Sequence, residues 1–354
     1  MQKLSDPREN NFNILRLVAA SAVIFSHAVD LTTGHHDFLA EKIGYSGGWI
    51  AVSAFFSISG MLIYKSIVRS RSVREYMTAR SLRIFPGLWV MLILTTLFLG
   101  PAISTLSIPE YFTSSQLPEY FFGNAILYLP RYFLPGVFES NSLTAVNGSL
   151  WTLRFEFTCY LITLLLFLIG AYRTETTFRI MCAIIVAGYL VYLGLGIMQG
   201  TLDQVLYDGS DIAKLHRMFF AFFVGIIVGH YIDQIRPKAW WVVLSGAATW
   251  ISFGTPLFAT ALIIFIALAV FWFAFLQQGW LVPFRQMHDY SYGIYIYGFP
   301  VQQTVEHFLP GLSSLGNALL SLAITLPFAA ASWHFVEKPA LGLKARLLTK
   351  RGTA

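Results

Sequence analysis

Charge is scarce in this chain. Asp, Glu, Lys and Arg make up 12% of its 354 residues, against about 25% in a soluble globular protein. So little polar surface cannot clothe a water-soluble body of this length, which removes the cytosolic, secreted, fibrous and disordered classes. Cysteine is scarcer still. Cys159 and Cys182 are the only two, both inside apolar runs; this argues against a disulfide framework or a cysteine metal site, and no metal is expected. The N-terminal MQKLSDPRENNFNILRL leads into an apolar segment without a small-residue cleavage site, so it reads as a retained first span and not a signal peptide. What is abundant is apolar: 56% of residues are hydrophobic, 16% are aromatic and mean hydropathy is +0.62. The expected fold is all-α, a polytopic membrane helix bundle forming one integral-membrane domain over residues 1–354.

A bilayer core takes about 20 apolar residues per helix, and ten segments approach that length: Phe12 to Leu31, Gly48 to Val68, Gly87 to Thr105, Ser149 to Gly170, Phe178 to Met198, Lys214 to Ile232, Ala239 to Gly254, Leu257 to Gln278, Ser291 to Leu309 and Asn317 to Val336. The short seventh joins the eighth through Gly254-Thr255-Pro256, which predicts a helical hairpin. The long stretch from Leu106 to Gly148, rich in proline and aromatics, reads as an interfacial or partly re-entrant cap. With the N-terminus inside, 18 of the 24 Lys and Arg residues fall on the inner side, so the positive-inside rule places both termini in the cytoplasm. The net charge of +6 would point to nucleic acid in a soluble protein. Here the basic residues flank spans, so membrane lipids, and no nucleic acid, are the expected contacts. Nothing in the sequence specifies an oligomeric state.

Ionisable side chains at bilayer depth are costly, so each is a functional candidate. Arg16 and His27 are eleven residues apart, three helical turns plus about 20°, and so share one stripe of the first helix roughly 16.5 Å apart. Their bland alternative is a snorkelling arginine plus a histidine satisfied by a neighbour. Arg80 and Arg83, at i and i+3, project together from a helix as a two-pronged guanidinium site suited to phosphate; otherwise they are a stop-transfer charge cluster. Glu156 opens the fourth span at a depth close to that of His27, with Arg154 as a candidate neutralising partner.

Six blocks then resemble the membrane-bound acyltransferase family 3 in its own order: Arg16 with His27, FFSISGMLI (Phe55 to Ile63), ARSLRIFPGLW (Ala79 to Trp89), NGSLWTLRFEF (Asn147 to Phe157), SYGIYIYGFP (Ser291 to Pro300) and HFVEKP (His334 to Pro339). The resemblance implies an O-acyltransferase that moves an acyl group, usually acetyl from acetyl-CoA, onto a carbohydrate or lipid-linked saccharide acceptor. It places the family's first-helix arginine and histidine on Arg16 and His27, its RxxR element on Arg80 and Arg83, and its SLWxLxxE glutamate on Glu156. Members often carry histidine where this chain has Gly298, so any contribution from that imidazole is missing. No GDSL-type motif occurs through Ala354, so the expectation is a stand-alone membrane domain without the fused esterase-like domain of two-domain relatives.

On this reading Arg80, Arg83 and Arg16 bind acetyl-CoA, His27 acts as general base or transient nucleophile, and Glu156 orients or charge-balances the imidazole. Ser291, Tyr292 and Tyr295 help shape the pocket or simply pack. Asp203, Asp208 and Asp211 are weaker expected sugar contacts. A different class stays open from the residues alone: a secondary transporter or exporter of a sugar or lipid-linked substrate using Arg16, His27 and Glu156, although no inverted repeat is visible.

Overall fold

The computed structural model describes residues 10–198 and 211–349, and every regular element among them is helical. Helix α1 spans Phe12–Thr33, α2 Phe38–Ile43, α3 Gly47–Arg69 and α4 Val73–Leu94. Two short helices, α5 (Ile108–Thr113) and α6 (Gln116–Ala125), lie in the long proline-rich stretch. Then come α7 (Trp151–Leu168), α8 (Glu175–Met198), α9 (Asp211–Tyr231), α10 (Ala239–Ile251), α11 (Phe258–Ala274), α12 (Ser291–Phe308), α13 (Ser314–Ser332) and α14 (Lys338–Thr349).

A helix stands at each of the ten expected spans. Length and apolarity qualify seven of them outright as membrane-crossing, and α11 makes an eighth together with Gly279–Arg285, bent by 93°. The other two fall short for different reasons. Helix α10 has 13 residues, fewer than a bilayer core needs. Helix α12 buries Ser291, Gln302, Gln303 and Glu306, polar groups tolerated at depth where they face protein. The helix that carries the third span starts before the expected apolar run at Gly87. It runs Val73–Ile103, so Arg80 and Arg83 sit on the span's own helix and not in a separate segment before it. The expected hairpin is present: α10 and α11 pack together across a turn in which Gly254 takes φ +74°.

Two helices widen locally into π turns, at Thr95–Leu99 and Trp333–Glu337. Each precedes a proline, Pro101 or Pro339, whose missing N–H leaves the carbonyl four residues back without its helical donor. A wider turn absorbs that defect without ending the helix. The second π turn delivers Glu337 to the interior, 2% exposed.

The chain forms two compact units. The first takes the described parts of Met1–Phe12, Ser53–Val73 and Phe155–Val282. Its helices α3, α8 and α9 are pinned by one carboxylate: Glu175 accepts from Tyr231 Oη (2.7 Å) and Arg179 Nε (2.8 Å) and meets His230 Nε2 at 2.9 Å. The other nitrogen of His230 lies 2.6 Å from Tyr64 Oη, and Phe178 stacks on the imidazole at 3.7 Å. The second unit takes Asn13–Val52, Arg74–Arg154 and Pro283–Ala354, described to residue 349. There α12 and α13 pack as a pair beside α1, to which Gln302 Nε2 donates through the Ile24 carbonyl at 2.8 Å. Asp37 ties down the start of α3 by accepting from Gly47 N (2.8 Å) and Ser26 Oγ (2.5 Å). Burial pushes the Asp37 carboxyl upward, but these hydrogen bonds outweigh it and hold the group below its usual value.

Candidate active site

At one end of the second unit, two arginines converge on a single carboxylate. Asp289, in the turn before α12, meets Arg16 Nη1 of α1 at 2.7 Å and Arg83 Nη2 of α4 at 2.5 Å, both through Oδ2. Its other oxygen accepts from Ser291 Oγ at 2.5 Å. Burial opposes the charge on Asp289, yet the two guanidiniums and then the Ser291 hydroxyl prevail and hold its carboxyl well below the usual carboxylate range. Arg83 also reaches Glu337 at 3.6 Å and lies over the Tyr292 ring, 5.8 Å from its centre. Glu337 is itself held by Ser332 Oγ at 2.9 Å, and Tyr292 by its hydroxyl on the Ile84 carbonyl at 2.6 Å. Two fixed guanidiniums beside two carboxylates make an electrostatically balanced, geometrically stiff cluster.

His27 stands three turns along α1 from Arg16. Its Nδ1 faces Asp30 Oδ2 at 3.7 Å, and Asp30 Oδ1 lies 3.4 Å from His36 Nδ1. A carboxylate on the Nδ1 side favours the tautomer with the proton on Nδ1, which leaves Nε2 as the basic nitrogen; such contacts are commonly long before substrate binds. The ring is steadied from its side by Phe299 of α12, edge-on at 5.2 Å. Phe299 reaches that place because position 148 is glycine: a Cβ there would stand 2.8 Å from the Phe299 ring. The turn before α7 is fixed in turn by Asn147 Nδ2 on the Ile296 carbonyl (2.8 Å), while Thr152 and Tyr295 pair through their hydroxyls at 2.6 Å. The NGSLW block thus shapes the wall beside His27. At Gly298, where the family resemblance leads one to expect histidine, a Cβ would meet the Ile24 side chain at 3.0 Å, so any side chain there would require Ile24 to shift by a few tenths of an ångström.

Glu156 lies in the first unit. It accepts from Tyr160 Oη at 2.5 Å and from Ser59 Oγ at 3.3 Å, so the FFSISG block supplies one of its two donors. Arg80 is on α4 one turn before Arg83, partly buried. Asp203 and Asp208 lie outside the described residues, as does the side chain of Asp211.

The Acyltransferase domain family matches residues 9–334. The chain belongs to this acyltransferase family. It is 31% identical over 348 residues to a protein named O-acetyl transferase from Shigella phage Sf6, with 94% of this chain and 96% of that one covered. It is 28% identical over 377 residues to nodulation protein 10 of Rhizobium leguminosarum bv. viciae, covering 98% and 97%. No solved structure matches. The chain is an integral-membrane O-acyltransferase, and the transporter reading gives way to it.

Three carboxylates of this acyltransferase's second unit were not singled out from the sequence. Asp289 carried a legible signal: it is an acidic residue on the side where basic residues crowd, directly before the SYG block. Asp30 did too, three residues past His27 and hence on its helix face. Glu337 stood inside the quoted HFVEKP block, but only the π turn shows it pointing inward. Ser291, Tyr292 and Tyr295 act as braces, on Asp289, the Ile84 carbonyl and Thr152 respectively.

Proposed function

We propose that this acyltransferase moves acetyl from acetyl-CoA, entering from the cytoplasm, to a hydroxyl of an envelope or exported carbohydrate on the other side of a bacterial inner membrane. One observation carries the reading: α1 has the arginine cluster at one end and the His27 and Asp30 pair about 16.5 Å away along the same helix. A CoA thioester has the matching shape, with charged phosphates at one end, a long uncharged arm, and the reacting carbonyl at the other. Arg80, Arg83 and Arg16 take the phosphates, with Asp289 and Glu337 setting the direction of the guanidinium forks. In the transfer, His27 Nε2 accepts the acceptor hydroxyl's proton as its oxygen attacks the thioester carbon. The C–S bond then breaks, and the leaving thiolate takes that proton to become CoA thiol. The reaction is balanced without metal or redox partner. Glu156 is assigned to the same reaction by the family resemblance.

Sealed vesicles with the cytoplasmic face outward test the arrangement. Acetyl-CoA supplied outside should acetylate an impermeant saccharide trapped in the lumen, with thiol released outside. Acetylation confined to saccharide added outside would overturn the vectorial reading, and absence of thiol release would overturn the donor.

The phosphate assignment has its own test. Charge-assisted hydrogen bonds contribute about 1.5–3 kcal/mol each, so Arg80→Ala or Arg83→Ala should raise KM for acetyl-CoA roughly tenfold or more while acceptor KM holds. Lysine should restore little, because it lacks the planar fork. Wild-type CoA affinity in both single variants would reduce the pair to a topology signal.

A further inference from the structure

The second unit contains a cleft of about 420 Å³ that the reaction described above does not use, walled by Ser114, Gln116, Phe133, Glu139 and Thr144 among others. It is built from α6 and the irregular strand of chain that follows. Phe133 is 53% exposed, a large ring left uncovered beside a carboxylate and several neutral hydrogen-bonding groups. Glu139 accepts from Thr105 Oγ1 at 3.0 Å, which orients the carboxylate and leaves most of its roughly four lone-pair sites available.

The cleft is preformed. Next to Glu139, Phe138 adopts φ +58°, a left-handed conformation that a non-glycine residue holds only where its surroundings enforce it. Here its ring is buried, 1% exposed, against His307. Asn141 Nδ2 donates to Gln303 Oε1 at 2.8 Å, and Gln303 Nε2 donates back to the carbonyls of Leu143 (2.6 Å) and Ala145 (2.7 Å). On the other side Ser104 Oγ holds the Pro135 carbonyl at 2.8 Å. Gln303 is one helical turn, about 6 Å, beyond Phe299 on α12, and Phe299 is the ring that touches His27. The cleft is therefore mounted on the same helix as the wall of the reacting centre.

Its chemistry selects a ligand class. No Lys or Arg lines it, and Glu139 repels anions, so phosphates and nucleotides are disfavoured. Its wall is mixed: Leu106, Leu134 and Val137 stand beside Gln116, Glu139 and Thr144, and covering those polar groups with an acyl or prenyl chain would leave them without hydrogen-bond partners. A lone carboxylate is too small a donor set for a divalent cation. A neutral sugar fits: its C–H face packs on an aromatic ring while its hydroxyls donate to a carboxylate and exchange hydrogen bonds with amide and hydroxyl groups.

We propose that this cleft is a remote subsite for one neutral sugar residue of the acceptor, with Phe133 as its stacking face and Glu139 and Gln116 as its hydrogen-bonding groups. This rests on the reading of the acceptor as a carbohydrate. Binding energy from a residue away from the reacting hydroxyl positions the chain for transfer.

Saturation-transfer NMR on the full chain in nanodiscs tests it, with the methyl glycosides of glucose, galactose, mannose, rhamnose and N-acetylglucosamine as probes. At least one should bind wild type, and its signal should fall fivefold or more in Glu139→Gln and in Phe133→Ala but stay within twofold in His27→Ala. If no glycoside binds, or if one binds and both cleft variants keep it, the subsite is overturned. Labelled acetyl transfer to oligomers of the binding sugar is measured separately. Binding that depends on the cleft without any transfer by wild type would refute the proposed activity and leave the subsite standing.

Discussion

Alanine in place of His27 is expected to lower acyl transfer by about 10²- to 10⁴-fold, the range for loss of a general base, while the protein still inserts and folds. The side chain makes one edge contact with Phe299 and one long contact with Asp30, so its removal costs little packing. The other imidazole on Asp30, His36, has a side chain that is 83% exposed, against 25% for His27, and position 298, where the family resemblance leads one to expect a second imidazole, is glycine. Asp30→Asn supplies the comparison. It keeps the shape and removes the charge that faces Nδ1 at 3.7 Å, so on the proposed mechanism kcat should fall, by less than in His27→Ala, with KM for the donor unchanged. Steady-state rates on purified, folded variants decide both. Near wild-type turnover by His27→Ala would remove the base from the mechanism, and equal rates for Asp30→Asn and wild type would make Asp30 a bystander.

The helices were legible because a bilayer imposes a length, and each of the ten apolar runs did become a helix. What periodicity did not show is which of them are polar inside. Helix α12, expected as a span over Ser291 to Leu309, falls short of the average apolarity of the qualifying spans; its buried Gln302, Gln303 and Glu306 face protein, and an average does not say which neighbours those side chains meet. The helix of the third span begins before the apolar run does. Arg80 and Arg83 looked like a flanking charged segment, whereas Asp289 and Glu337 let the helix carry Arg83 inward, 15% exposed. Residue pairs on one helix were within reach of arithmetic: Arg16 with His27, Arg80 with Arg83. Partners from distant helices were not, since no spacing rule links position 16 to position 289. The sequence placed the cations and missed the anions that hold them.

Asp289 carries the second large expected effect, on stability as well as activity. Removing one partner of a buried charge pair costs about 3–5 kcal/mol because the other charge stays buried and unpaired; here both Arg16 and Arg83 lose their shared partner, though Arg83 keeps Glu337 at 3.6 Å. Asp289→Asn should therefore destabilise by an amount near the lower end of that range and depress kcat, since Arg16 loses the carboxylate that aims it and Arg83 loses one of its two. The pH dependence follows from the sign of the shift. A carboxyl held below its ordinary value of about 3.9 contributes stability that is fully present above that value and is lost as pH falls through the lower, folded-state value. The wild-type protein should thus keep this contribution throughout the neutral range and shed it only on acidification below about pH 4, while Asp289→Asn should lack that acid-dependent step. A double-mutant cycle with Arg16→Gln isolates the pair: residues in direct ionic contact couple by about 0.5–3 kcal/mol, so the double variant should be more stable than the two single losses added together predict. Strict additivity in denaturant unfolding would show that Asp289 does not hold Arg16, and the cluster would then be a set of independent surface charges at a helix end.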